Sequence, residues 1–140
     1  MKNTIAATSL MLLALLLPVA EGQTSHAFLW TQTDGMVDLG TLGGNFSQAL
    51  AVSPGIGIVV DYSYLADNTT YHAFVWGPGN KMQDLGTLGG TNSVATGING
   101  LGQVVGYSVS KSGTTTVFHA LLWTSLSLSK PQLLGTLGGA

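Results

Sequence analysis

The chain has 140 residues, of which 45% are hydrophobic and only 7% are charged, with a formal net charge of −2 at pH 7. Such sparse charge, without a basic patch, excludes recognition of nucleic acid through its phosphates. The absence of cysteine excludes disulfides and thiolate metal sites, and the 20 glycines favour an all-β protein with many tight turns over a disordered chain.

The first 22 residues are predicted to be a secretory signal peptide. Lys2 supplies the positive start, Ile5–Leu17 is the apolar core, Pro18 ends it, and Ala20–Gly22 offers small residues for cleavage. We place cleavage after residue 22, with residue 20 as the near alternative. The apolar run is shorter than the ~20 residues that span a bilayer. The protein is therefore expected to be exported, without stable membrane insertion after cleavage.

Two phrases recur through the predicted β-repeat domain, residues 23–140. The first begins with histidine and ends with tryptophan, at 26–30, 72–76 and 119–123. The second is Leu-Gly-Thr-Leu-Gly-Gly, at 39–44, 85–90 and 134–139. A fixed period of about 46 residues indicates a repeat architecture. We divide the domain into repeat one at 26–71, repeat two at 72–118 and a partial repeat three at 119–140.

Each full repeat predicts four short strands bounded by turn residues. The first strand is the His-to-Trp phrase, and the others are Met36–Leu39, Ser47–Val52 and Ile58–Tyr62, with counterparts at Met82–Leu85, Ser93–Ile98 and Gln103–Tyr107. The Gly-Thr-Leu-Gly-Gly segment is expected to be a connection whose glycines adopt positive φ. Nothing in residues 23–140 shows helical periodicity.

Four short antiparallel strands in about 45 residues are typical of a β-propeller blade. The predicted fold is therefore all-β: tandem four-stranded antiparallel propeller-like blades, two full repeats plus a partial third, in an open or incomplete ring. Because propellers close with about 4–8 blades, three alternatives stay open. The chain forms an open stack or small sandwich, self-associates through open strand edges, or is part of a longer repeat array.

Three phrases in fixed order, His26–Trp30, Met36–Gly44 and Gly102–Ser108, resemble the HAF-repeat family of extracellular bacterial proteins. The resemblance covers nearly all of residues 26–140. It implies export to the bacterial exterior or cell envelope, β-rich repeats and a propeller-like arrangement. Members of that family generally carry more repeats, and the resemblance supplies no catalytic residue, because the family has no established activity.

The three phrase histidines, His26, His72 and His119, are the first candidates for metal ligands. Equivalent positions in stacked sheets lie about 10 Å or more apart, whereas zinc ligands lie about 2 Å from one ion. We therefore interpret these histidines as structural. Asp38 and Asp84 each follow a phrase histidine by 12 residues, which predicts a His–Asp hydrogen bond in two repeats. Repeat three has Leu133 at that position, and no nucleophile accompanies either pair.

The phrase tryptophans Trp30, Trp76 and Trp123 could stack on sugar rings, but packing between blades is the favoured interpretation. No catalytic, cofactor-binding or metal residue is assigned, because Gly-Thr-Leu-Gly-Gly lacks the ending of a phosphate loop and no facing carboxylates suggest glycosidase chemistry. We therefore expect a non-enzymatic structural or binding module of unknown ligand. The alternatives are a carbohydrate-binding or carbohydrate-processing protein and a truncated fragment of a longer repeat protein.

Overall fold

A computed structural model describes residues 23–77, 79, 81–124 and 130–137. The predicted signal peptide and residues 138–139 of the third glycine phrase lie outside this described part. Ten strands form it: β1 Phe28–Thr31, β2 Gly35–Asp38, β3 Gly43–Val52, β4 Val59–Leu65, β5 Tyr71–Gly77, β6 Lys81–Gly86, β7 Asn92–Ile98, β8 Val104–Ser112, β9 Thr115–Trp123 and β10 Gln132–Leu133. The described residues contain no helix, and therefore none long and apolar enough to cross a membrane.

The strands make a hairpin and two larger sheets. The N-terminal hairpin pairs β1 with β2, sheet A has the order β3-β4-β5-β6, and sheet B has the order β7-β8-β9-β10. Every pair of named strands is antiparallel. Within the described ranges the sheets are open, since each outer strand of sheets A and B pairs with only one other named strand. The prediction of an all-β protein with antiparallel sheets is confirmed.

The four-stranded sheets are out of phase with the sequence repeats. Sheet A runs from Gly43 to Gly86, so its first two strands come from repeat one and its last two from repeat two. The reason is local. A tight turn joins β4 to β5, with the amide of Leu65 donating to the carbonyl of Thr70 at 2.8 Å. The Gly-Thr-Leu-Gly-Gly segment instead leads the chain from one sheet to the next, and we call it the glycine connector.

Glycine is required in the connector for two different reasons. Gly86 has a φ of +68°, in the left-handed region that other residues avoid. Gly90 has ordinary φ, but a Cβ there would collide with the backbone carbonyl of Val109. The prediction of positive φ in the connectors is confirmed at five described glycines: Gly40, Gly43, Gly86, Gly89 and Gly135.

Side chains alternate between the two faces of each sheet. In sheets A and B, we call the face directed toward the N-terminal hairpin the front and the opposite face the back. In the hairpin itself, the front is the face directed away from sheet A. One apolar cluster joins the hairpin to the front of sheet A: Ala27, Leu39, Ala49, Val59, Phe74 and Trp76. A second joins the back of sheet A to the front of sheet B and includes Ala73, Leu85, Ala95, Val104, Leu121 and Trp123. The second set repeats the first, position for position, one repeat later.

Each interface is therefore assembled from the same parts. The back of one layer supplies an alanine and a leucine, and the front of the next supplies an alanine, a valine, a Phe or Leu, and a tryptophan. Trp123 is 1% exposed, and its indole N–H donates to the carbonyl oxygen of Leu85 at 2.9 Å. Trp30, on the uncovered front of the hairpin, is 54% exposed.

Replacement of Trp123 tests this packing. Trp123→Ala is expected to lower the free energy of unfolding by about 3–5 kcal/mol, because it removes a buried ring and its hydrogen bond to the Leu85 carbonyl. Trp30→Ala, at the same place in its own phrase, is expected to cost about 1 kcal/mol or less. Urea unfolding of dilute protein, followed by circular dichroism, measures both. Equal losses would contradict the assignment.

Candidate functional site

The His–Asp pairs predicted from the 12-residue spacing are present in both full repeats. The Nδ1 atom of His26 lies 2.9 Å from each carboxylate oxygen of Asp38. The Nδ1 atom of His72 lies 3.0 and 2.8 Å from the two oxygens of Asp84. Each aspartate also accepts a backbone N–H from the connector, from Gly40 at 2.8 Å or from Gly86 at 2.6 Å. The predicted His–Asp hydrogen bonds are confirmed.

The third histidine lies in a different environment. Leu133 occupies the place of the aspartate and is 50% exposed. The Nε2 atom of His119 instead lies 2.9 Å from the Oγ atom of Ser110. Within the described ranges, no three or more His, Cys, Asp or Glu side chains are grouped so that they could hold a metal ion.

The second pair is partly buried and electrostatically coupled. The hydrogen bond to Asp84 raises the pKa of His72 and outweighs the effect of burial. Burial raises the pKa of Asp84, but the hydrogen bonds from His72 and Gly86 outweigh it, so the pKa lies below the ordinary value of 3.8. The hydrogen bonds from His26 and Gly40 likewise lower the pKa of Asp38. Carboxylates held in this way accept hydrogen bonds at neutral pH and are poor proton donors.

Two buried serines near the His–Asp pairs form hydrogen bonds with backbone groups. The Oγ atom of Ser93 accepts the amide N–H of Ala73 at 2.9 Å and donates to the carbonyl of Gly86 at 2.6 Å. Ser47 makes the equivalent bonds one repeat earlier. Because both serines bind the connector, neither is free to act as a nucleophile for the adjacent histidine. These serines were not predicted as site residues, although both begin the third predicted strand of their repeat, a position that marks them in the sequence.

The threonine of each connector is also bound to the backbone. Thr87 donates its hydroxyl to the carbonyl of Gly90 at 2.7 Å, and Thr41 donates to Gly44 at 2.8 Å. The polar residues of the recurring phrases thus hold the chain in place where it passes between sheets.

Asp61 is a buried carboxylate that the sequence analysis did not identify as a site. It lies on the front of sheet A between Ala49 and Phe74, is 1% exposed, and its Oδ2 atom has no hydrogen-bond partner among the described residues. Burial raises its pKa to about 7, against the opposing effects of the Gln48 side chain and the Tyr62 amide. Burial of a charge without a partner is costly. Repeat two has Gly106 at this position.

The aromatic rings at the surface of sheet A are not the phrase tryptophans that the sequence suggested as sugar-stacking residues. Trp76 and Trp123 are buried, at 7% and 1% exposed, which confirms the packing interpretation for these two. Half-exposed rings form a different group on sheet A, which we call the tyrosine cluster: Phe46, Tyr62, Tyr64 and Tyr71. Its ring centroids lie 5.1–6.3 Å apart, and burial raises the pKa of Tyr62 to about 12.

Comparison of the chain with protein-family models, curated proteins and solved structures finds no match in any of the three.

The coupling between His72 and Asp84 is expected to depend on pH. It stabilises the fold fully above the ordinary Asp pKa of 3.8 and below the ordinary His pKa of 6.5. It is lost as pH rises through the raised pKa of His72, and again as pH falls through the lowered pKa of Asp84. A double-mutant cycle with His72→Gln and Asp84→Asn should give about 0.5–1.5 kcal/mol at pH 5.5 and less at pH 9. His119→Gln, which lacks an aspartate partner, is the control. A coupling that does not change with pH would contradict the ionic contribution.

Removal of the buried charge at Asp61 is expected to stabilise the protein. Because the folded-state pKa is about 7 and the ordinary value is 3.8, the folded state binds the proton more tightly, and stability falls as pH rises between these values. The stability gained by Asp61→Asn should therefore grow over that range and level off near about 4 kcal/mol, at about 1.4 kcal/mol per pKa unit. Thermal melts at pH 4 and 8 measure it, with the exposed turn variant Asp34→Asn as control. A variant that is less stable than the parent at pH 8 would refute the expectation.

Proposed function

We propose that the chain is an exported, non-enzymatic β-repeat protein that acts as a structural or binding module, with each four-stranded sheet corresponding to one propeller blade. One observation carries the proposal: in both full repeats, the His, Asp, Ser and Thr side chains around the connector bond to one another or to backbone groups. Catalysis needs groups that converge on a shared space and remain available to substrate. Here the two His–Asp pairs belong to different layers, and each is engaged with its own connector.

The repeated interface supports the blade assignment. A blade cannot bury both of its faces alone, so neighbouring blades must present complementary apolar surfaces. The alanine–leucine back and tryptophan-bearing front recur between the layers of this chain. The resemblance to HAF-repeat proteins agrees with this proposal, since it implies export and β-rich repeats.

Export predicts that the protein recovered outside the cytoplasm begins at Gln23, which mass spectrometry of the intact protein measures.

The tyrosine cluster favours carbohydrate binding as a second candidate function. Tyr64 lies within 5.6–6.3 Å of three other rings, measured between centroids, and the cluster sits on a hydrogen-bonded sheet that restricts its movement. Aromatic rings with an apolar face and a polar edge suit the apolar faces of sugar rings. The ligand class that fits is a polysaccharide with exposed pyranose rings.

Binding to insoluble polysaccharides tests both proposals together. Tyr64→Ala is expected to weaken retention on chitin, cellulose or peptidoglycan roughly tenfold, because one stacking ring is lost. Leu101→Ala, in an exposed turn, is the control and should bind like the parent. His72→Gln should also retain binding, and no soluble sugar should be released during long incubation. Sugar release that disappears in His72→Gln would refute the non-enzymatic proposal, and equal retention of Tyr64→Ala and the parent would refute the tyrosine site.

A further inference from the structure

The back of sheet B is half of an interface whose other half is not present in the described part of the chain. In the two complete interfaces, the back-face leucines Leu39 and Leu85 are 4% and 6% exposed. Their equivalent on sheet B, Leu134, is 53% exposed, and its amide donates to the carbonyl of Ala120 at 3.0 Å, as the Leu39 amide does to Ala27. The backbone hydrogen bond at Leu134 thus repeats the one at Leu39, but no described layer covers the Leu134 side chain.

The valines of the back faces show the same contrast. Val60 on sheet A is 0% exposed because sheet B packs against it. Val105 occupies the same place on sheet B and is 43% exposed. Ala120 is exposed as well, whereas its equivalent Ala73 is 0% exposed. The back of sheet B therefore offers an alanine, a leucine and a valine that are buried in the corresponding positions of sheet A.

The front of the N-terminal hairpin offers the aromatic part of the complementary half; the alanine and valine of a complete front come from strands such as β3 and β4, which have no equivalent in the described part of the hairpin layer. Phe28 and Trp30 are 44% and 54% exposed. They are the equivalents of Phe74 and Trp76, which fill the first interface, and of Leu121 and Trp123, which fill the second. One chain thus exposes both the alanine–leucine half and the tryptophan half of its own repeated interface.

These two halves are on opposite sides of the same molecule. The hairpin packs against the front of sheet A and sheet B packs against its back, so sheet A separates them. The two halves differ from each other, so they cannot meet through a symmetric contact in which each copy offers the same patch. They can meet only when the hairpin of one molecule reaches sheet B of another.

We propose that a second copy of this chain docks head to tail, with Phe28 and Trp30 of one copy packed on Val105, Ala120 and Leu134 of the next. The partner is identified by the two built interfaces, in which a front-face tryptophan and a Phe or Leu pack on the alanine and leucine of a back face at the equivalent positions. A head-to-tail contact either closes into a ring or extends into a filament. This inference goes beyond the proposed function and does not depend on it, because it rests on apolar packing alone.

The full chain is tested with one variant at each end. Trp30→Lys blocks the hairpin, and Val105→Lys blocks sheet B. The parent should form oligomers, measured by sedimentation velocity and light scattering over a wide concentration range, and each variant alone should be a monomer. Leu101→Lys, at an 85% exposed turn residue, is the control and should associate like the parent.

Mixing the two variants distinguishes head-to-tail docking from every symmetric alternative. The free sheet B of the Trp30→Lys chain should bind the free hairpin of the Val105→Lys chain, giving 1:1 dimers that cannot grow. Circular dichroism confirms that each variant is folded, and Ala120→Lys replaces Val105→Lys if the latter is not. A parent that is monomeric at every concentration, variants that still associate alone, or a mixture of folded variants that stays monomeric would each overturn the proposal.

Discussion

The fold depends on one repeated contact, in which a tryptophan-bearing front face covers the alanine and leucine of the layer before it. Small alanines at the back let the next sheet approach closely, and the large indole fills the remaining space, as close packing requires. The contact is also directional, since the Trp123 N–H meets the carbonyl of Leu85. Because a single sheet would leave this apolar surface in water, the layers stabilise each other and none is expected to be stable alone.

The polar residues around the connectors supply hydrogen bonds to backbone groups where the chain passes between stacked sheets. A chain that leaves one sheet for the next must interrupt its ladder of backbone hydrogen bonds near a buried interface, where unpaired groups are costly. Ser93, Thr87 and the His72–Asp84 pair supply the missing partners to the connector. This role accounts for a histidine and an aspartate that resemble catalytic residues in the sequence alone, and it explains why they recur in separate layers.

The repeats differ at two polar positions: the aspartate that pairs with the phrase histidine, and the position that Asp61 occupies in repeat one. Leu133 replaces the aspartate in repeat three, and His119 there bonds to Ser110 instead. Asp61 replaces the glycine found at position 106 and introduces a buried, partly unpaired carboxylate that no packing requirement described here explains. Among the described residues, the tyrosine cluster, the front of the hairpin and the back of sheet B are the surfaces that carry aromatic or apolar side chains available for interaction.

The sequence by itself determined what is local: antiparallel strands, positive φ at Gly86, and the hydrogen bond of His72 to Asp84, because turn chemistry, glycine and short spacing act over a few residues. The repeat period did not reveal which strands share a sheet, because the local hairpin turn that joins β4 to β5 crosses the boundary between sequence repeats. Tertiary structure decided burial. Trp30 and Trp123 occupy the same phrase, yet one is 54% and the other 1% exposed. Equal phrases have equal local preferences, but exposure depends on whether another layer covers them, which no stretch of sequence specifies alone.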